Sequence, residues 1–224
     1  MKSKLLFAGL ITLGLTSKAQ FGQQGQRLIT AGLSAYQSKS TIDPNANTNS
    51  EGVNLNFSLG KFTKQHVLTN FTVFGGFFNN KNESFTNYDR NKGYNVGASF
   101  SKTYYKPIVK NLFVGLGGIA GVNYSSSEYT LSTSGTPLTD IKRYGINLAL
   151  VPSLSYQFSK RFVANLSPGN TFLQLSYMYT DAERKGTGIT TVKSTQQDFN
   201  LGAGFWSAPL QNLSISFSYL LKNK

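Results

Sequence analysis

The stretch Asp198–Leu221, DFNLGAGFWSAPLQNLSISFSYLL, constrains the fold more than any other part of the chain. Its odd positions carry Phe199, Leu201, Ala203, Phe205, Leu213, Ile215, Phe217 and Tyr219. Its even positions carry Asp198, Asn200, Gly202, Gly204, Asn212, Ser214, Ser216 and Ser218. Side chains alternate faces along a strand, so the stretch has one apolar face and one face of Ser, Gly and Asn. A water-soluble sheet alternates as well, but an inner face of Ser, Gly and Asn buries too little apolar area to hold it together. The pattern fits lipid on one face and a polar lumen on the other, as in the closing strand of a transmembrane β-barrel.

Upstream, the same alternation recurs. Strands are predicted over 27–37, 51–62, about 66–79, 92–105, 111–125, 141–158 and 162–179, with 198–221 as the eighth. Pro152 lies on the apolar face of the sixth and lacks a ladder donor, which predicts a bulge or a local break there. In the seventh, apolar parity flips across Pro168-Gly169, which calls for a bulge or a turn. Ser207-Ala208-Pro209 poses the same question in the eighth. One kinked strand gives an all-β, antiparallel, up-and-down transmembrane barrel of eight strands; splitting both the seventh and the eighth gives the alternative, ten.

The N-terminus MKSKLLFAGLITLGLTSKAQ has a basic start (Lys2, Lys4), an apolar core from Leu5 to Leu15 and a small-x-small site at Ser17-Lys18-Ala19. This predicts a secretory leader over 1–19, cleaved after Ala19, ahead of one domain over 20–224. Residues 20–26 are polar and are expected to be a disordered lead-in. The apolar core is too short for a helical span, and nothing later approaches one, so any membrane crossing is made by strands. The chain has no cysteine, hence no disulfide and no lipidated N-terminus. Removing Lys2, Lys4 and Lys18 with the leader leaves 19 bases against nine acids, a net charge of +10. Export and the dispersal of these charges argue against nucleic acid as a partner.

Four polar segments, 38–50, 80–91, 126–140 and 180–193, alternate with short turns at 63–65, 106–110 and 159–161. Long loops outside and short turns inside are the habit of outer-membrane barrels. In that orientation Arg27, Lys61, Lys64, Lys102, Lys106, Lys110, Lys160, Arg161, Lys222 and Lys224 gather at the periplasmic end with no acid. All nine acids fall at the outer end. The basic ring suits anionic phospholipid headgroups, or is simply a solvated rim.

The leader ending in Ala-Gln, the strand–Ser/Thr loop–strand repeat and a last segment F-x-L-x-x-x-F…L-x-I-x-F-x-Y resemble the small outer-membrane β-barrel proteins of the OmpA/OmpX-like superfamily common in Bacteroidetes-type bacteria. The resemblance covers the whole mature chain and implies a bacterial outer-membrane location. It departs at the C-terminus, where Tyr219 is followed by Leu-Leu-Lys-Asn-Lys rather than ending on an aromatic residue.

Candidate chemistry is sparse. His66 is the one histidine and sits beside a turn, where an interfacial residue is the simpler reading than a general base. One histidine, no cysteine and no regular Asp/Asn spacing give no metal site, and no cofactor is expected. Gly115-Leu116-Gly117-Gly118 lies inside an alternating strand with no helix after it, so it reads as thin lumen packing rather than a nucleotide loop. Asn54, Asn56, Asn70, Asn95, Asn123, Asn147 and Asn200 point to the expected lumen, filling it or lining a narrow path. Trp206 is expected at the lumen or an interface. Lys142, Arg143, Arg184 and Lys185 at the outer rim could bind lipopolysaccharide phosphates. The expected role is structural or surface-interacting, through four extracellular loops that could also meet a protein partner. A narrow porin-like channel is the alternative, and a lipid-acting barrel enzyme the least favoured.

Overall fold

The structure, a computed structural model, describes residues 21–43, 46–84, 88–131, 138–168, 171–186, 189–203 and 213–221. Ten strands run through them: β1 (Arg27–Asp43), β2 (Ala46–Lys64), β3 (Val67–Ser84), β4 (Tyr88–Val109), β5 (Leu112–Leu131), β6 (Leu138–Gln157), β7 (Phe162–Pro168), β8 (Leu173–Gly186), β9 (Ile189–Gly202) and β10 (Leu213–Leu220). Every pairing is antiparallel. β1 to β6 pair in chain order, β6 pairs with β7, β7 with β10, and β10 with β1, which closes a ring of eight. β8 continues beside the outer part of β6, and β9 lies beside β8. Among the described residues, β1 joins β10 only over Leu28–Ala31, and no ladder joins β9 to β1.

The strand count therefore differs from the expected eight. The ring has eight members, but the expected seventh strand is two strands, β7 and β8, and the eighth is β9 and β10. The break in the seventh is visible in register. Leu154 opposes Leu166 while Leu150 opposes Leu173, so four residues on β6 match seven opposite, three too many for one regular strand. Pro168 ends β7 there. The leader, Ser207–Pro209, Trp206, Lys222 and Lys224 lie outside the described residues.

Of the two alternatives at Pro152, the structure shows the local break and not the bulge: β5 and β6 pair without a register shift through Leu116↔Pro152. On its other side β6 changes partner from β8 to β7 between Leu150 and Leu154, so the missing N–H falls at the switch. The long polar loops are largely strand. β1 and β2 stay paired from Arg27↔Lys61 to Asp43↔Ala46, and β5 and β6 out to Thr130↔Leu138. Ser, Thr and Asn favour turns, but a ladder whose two faces both meet water needs no apolar alternation to persist. The lead-in is also folded. Phe21–Gln26 is tied to the first inner turn through Gly25 N→Phe62 O (2.8 Å), Phe62 N→Gln26 O (2.8 Å) and His66 N→Gly22 O (2.7 Å).

That lead-in supplies the centre of the only apolar core cluster among the described residues. Phe21, 3% exposed, packs with Leu28, Phe62, Leu68, Phe113, Val163 and Leu220 inside the inner end of the ring. Its ring lies 5.1 Å from Phe62, 5.0 Å from Tyr105 and 4.8 Å from Phe113, edge-on or tilted. Its N–H donates to the buried Gln157 Oε1 at 3.0 Å. Phe21→Ala is expected to cost about 3–5 kcal/mol, the range for removing a buried aromatic ring. Urea titration of the folded protein in lipid vesicles measures it, and an unchanged midpoint would contradict the packing role.

Candidate functional site: the lumen, the outer wall and the two rims

Inside the ring, amides and glycines are matched across strands. Asn56 opposes Gly32, Asn54 opposes Gly76, Asn70 opposes Gly60, Asn147 opposes Gly121 and Asn123 opposes Gly145. A Cβ on any of these five glycines would come within 3.0 Å of the facing amide. The glycines thus make the room that the amides fill, and the lumen is occupied by side chains. Phe74 adds to the filling, its ring lying against Gly97. Nearer the inner end a hydroxyl and amide chain runs around the wall. Ser155 Oγ donates to Asn165 Oδ1 (2.8 Å), Asn165 Nδ2 donates to Ser218 Oγ (2.8 Å), and Ser218 shares a hydrogen bond with Thr30 (2.6 Å). A chamber of about 220 Å³ remains between these groups and the Phe21–Tyr105 floor, with no charged side chain lining it.

The outer wall is the opposite. Leu33, Leu55, Leu59, Phe77, Phe100, Val122, Ile146, Phe199 and Leu201 are all exposed, Phe77 by 72%. At one edge of this band Tyr94, Tyr124, Tyr144 and Tyr179 form a row across β4, β5, β6 and β8, with ring centroids 6.1, 5.0 and 6.2 Å apart. At the other edge Phe158, Phe162 and Tyr219 follow one another at 5.9 and 5.1 Å. There Arg161 Nη1 donates to the Tyr219 hydroxyl (2.8 Å), and Lys102 lies over Tyr104 at 5.6 Å. On β4 the two edges are Tyr94 and Tyr104, ten residues apart. At about 3.3 Å per residue and a tilt of about 40°, that is about 25 Å of height.

Beyond the tyrosine row the wall becomes charged and paired. Lys92 meets Glu128 at 2.8 Å, Asn79 Nδ2 donates to Glu51 (2.6 Å), and Arg90 Nε donates to Asn79 Oδ1 (2.9 Å). Eight of the nine acids lie in this half and Asp198 lies one position inside the row, opposite Met178; none lies at the inner end, where eight of the ten expected bases are described. The four rim bases singled out from sequence are on strands and do not form one patch. Neighbours in a strand face opposite ways. Lys142 shares the outer face with Tyr144, whereas Arg143 and Arg184 face inward, opposite Thr180 and Thr139. Lys185 is held by Asp140 (2.8 Å) and Glu183 (3.7 Å), and its ammonium pKa is raised, first by the Asp140 hydrogen bond. Lys185 is thereby engaged within the protein.

His66 takes a positive φ of 58° and anchors the lead-in through its backbone, with its ring 5.9 Å from Phe113. Sequence reading missed Phe21, whose neighbours in the chain are polar and give no periodicity.

The fold has a counterpart among solved structures. It is similar to the crystal structure of a major outer membrane protein from Thermus thermophilus, with a TM-score of 0.52 over 88% of this chain and 100% of that one. Identity is 11%, so the likeness is one of fold. No protein-family model matches the sequence, and no curated protein matches it.

The lumen packing makes a direct prediction. A Cβ at Gly76 would meet Asn54 Oδ1 and lie 2.6 Å from the Val53 carbonyl, which cannot give way, whereas at Gly118 it meets only Leu150 Cδ2 at 3.9 Å. Gly76→Ala is expected to lose about 1–3 kcal/mol and Gly118→Ala close to nothing. Equal unfolding midpoints for the two variants would contradict the amide–glycine fit.

Proposed function

We propose that the chain spans a bacterial outer membrane as a β-barrel with a filled polar lumen, and that it serves a structural and surface-interaction role through its charged outer hairpins. The observation that carries this reading is the exposed apolar band of about 25 Å between two aromatic rows, the height of a hydrocarbon core plus its girdles. A soluble monomer does not leave Phe, Leu, Val and Ile exposed all round its wall. The predicted leader and the Thermus protein's fold point the same way. The inner row is basic, which suits the anionic headgroups of the periplasmic leaflet, and the outer row carries ion pairs that suit a crowded polar surface.

A closed lumen is favoured over a channel by two features. Amides fill the glycine spaces, and the Phe21 cluster seals the inner end. An enzymatic role has no support in the position of His66, whose backbone and ring are committed to the lead-in and Phe113.

The protein refolded into vesicles should migrate differently on gels before and after boiling, and should show no discrete conductance steps in planar bilayers. Identical migration would overturn the barrel, and reproducible steps would overturn the closed lumen. Val73→Arg, on the outer wall near mid-band, should cost about 2–4 kcal/mol in vesicles. A loss near zero would show that Val73 does not face lipid.

A further inference from the structure

Lys102 is out of place on the outer wall. In the β-ladder rows it lies level with Gly118, Leu150 and Leu173, and the row above it is Phe100, Ala120, Leu148 and Leu175. A lysine on a lipid-facing wall must reach the interface with its ammonium, and here that group lies over Tyr104 toward the inner rim. No acidic side chain pairs with it among the described residues, and no acid lies at this end.

Beside Lys102 the wall is hollow. Gly118 and Ala120 leave a groove of about 500 Å³ on β5, walled by Phe100 on one side and by Leu148 and Leu150 on the other. The hollow is not forced by the fold, because a side chain at Gly118 would point into open space up to Leu150 Cδ2 at 3.9 Å. On the inner face of the same strand, Gly115, Gly117 and Gly121 are each hemmed in by atoms within 2.8 Å of an added Cβ. Gly118 is therefore a glycine with no packing reason inside the protein.

An uncompensated ammonium at the interface and an apolar slot running outward from it match the two parts of one molecule. We propose that this groove holds a phospholipid of the periplasmic leaflet, with its phosphate at Lys102 and the Tyr104 hydroxyl, and one acyl chain over Gly118 and Ala120. The site rests on the membrane-spanning orientation argued above. Charge complementarity selects an anionic headgroup: beyond Thr69 on β3 the same row continues through Lys61 on β2 and Arg27 on β1, Arg27 directly opposite Lys61. The second wall groove, around Gly75 between Phe57, Phe77 and Val96, has no cation beside it and is not assigned a lipid.

The test uses the intact folded protein, released from vesicles of phosphatidylglycerol and phosphatidylethanolamine into detergent and weighed by native mass spectrometry. Wild type is expected to retain one phosphatidylglycerol. Lys102→Gln should lower its retention about fivefold, the effect of one lost base at an anionic surface. Gly118→Leu, which fills the slot and leaves every charge in place, should lower retention at least as much. Ala120→Leu serves if Gly118→Leu fails to fold, folding being judged by the boiling-dependent gel shift. Lys61→Gln should change retention less than Lys102→Gln. Retention unaffected by filling the groove, or lowered equally by Lys61→Gln and Lys102→Gln, would overturn the site and leave only a general basic rim. Glycerol phosphate at millimolar concentration should not displace the lipid; displacement would show a phosphate site without a chain groove. Loss of the gel shift in wild type would instead strike the membrane reading itself.

Discussion

The backbone's need for hydrogen-bond partners governs this structure. In hydrocarbon an unpaired N–H or C=O costs several kcal/mol, so strands can face lipid only when their ladders run into one another. β1 to β6 pair consecutively, and at the inner end the ring closes where β7 and β10 join β6 to β1, with β1 paired to β10 over Leu28–Ala31. The side chains then have little backbone work left. Outward ones need only be apolar between the two aromatic rows, and inward ones need only fill a narrow polar space, as the asparagine–glycine pairs do.

The apolar core has accordingly been moved to one end. A chain whose outer wall carries its exposed Leu and Phe has few left to turn inward along its length. The inner end is the exception, where Phe21 brings a ring from outside the strands into a cluster with Phe62, Phe113 and Tyr105. The charges divide along the same axis. Paired acids and bases occupy the outer half, and the inner rim carries bases without acids, so the two ends of the ring differ in charge.

Much of the wall was legible because it is a local, period-two property. Val53, Leu55, Phe57 and Leu59 could be placed outward and Asn54 and Asn56 inward with no knowledge of neighbours, and the structure agrees. What was illegible depended on partners distant in sequence. Pro152 is tolerated because β6 changes neighbours at that point, which no local pattern reveals. Ser38 to Ser50 is mostly ladder because β1 and β2 continue to pair in water, although its composition is that of a turn. Phe21 is held by residues more than forty positions away. Lys142-Arg143 and Arg184-Lys185 are adjacent pairs in sequence, but on strands the members of each pair turn to opposite faces, which only the strand assignment makes visible.

The central claim is that odd and even residues of one strand meet different solvents. The absence of native cysteine lets single cysteines be introduced one at a time from Asn91 to Lys106 on β4 without background. Their accessibility to a water-soluble thiol reagent and to a lipid-borne quencher, in vesicles, reads the two environments directly. Between Tyr94 and Tyr104 the even positions should be quenched from lipid and silent to the aqueous reagent. The odd positions should be unreachable from lipid, and the alternation should fade beyond the two tyrosines. Equal aqueous reactivity at even and odd positions across that interval would contradict a lipid-facing wall.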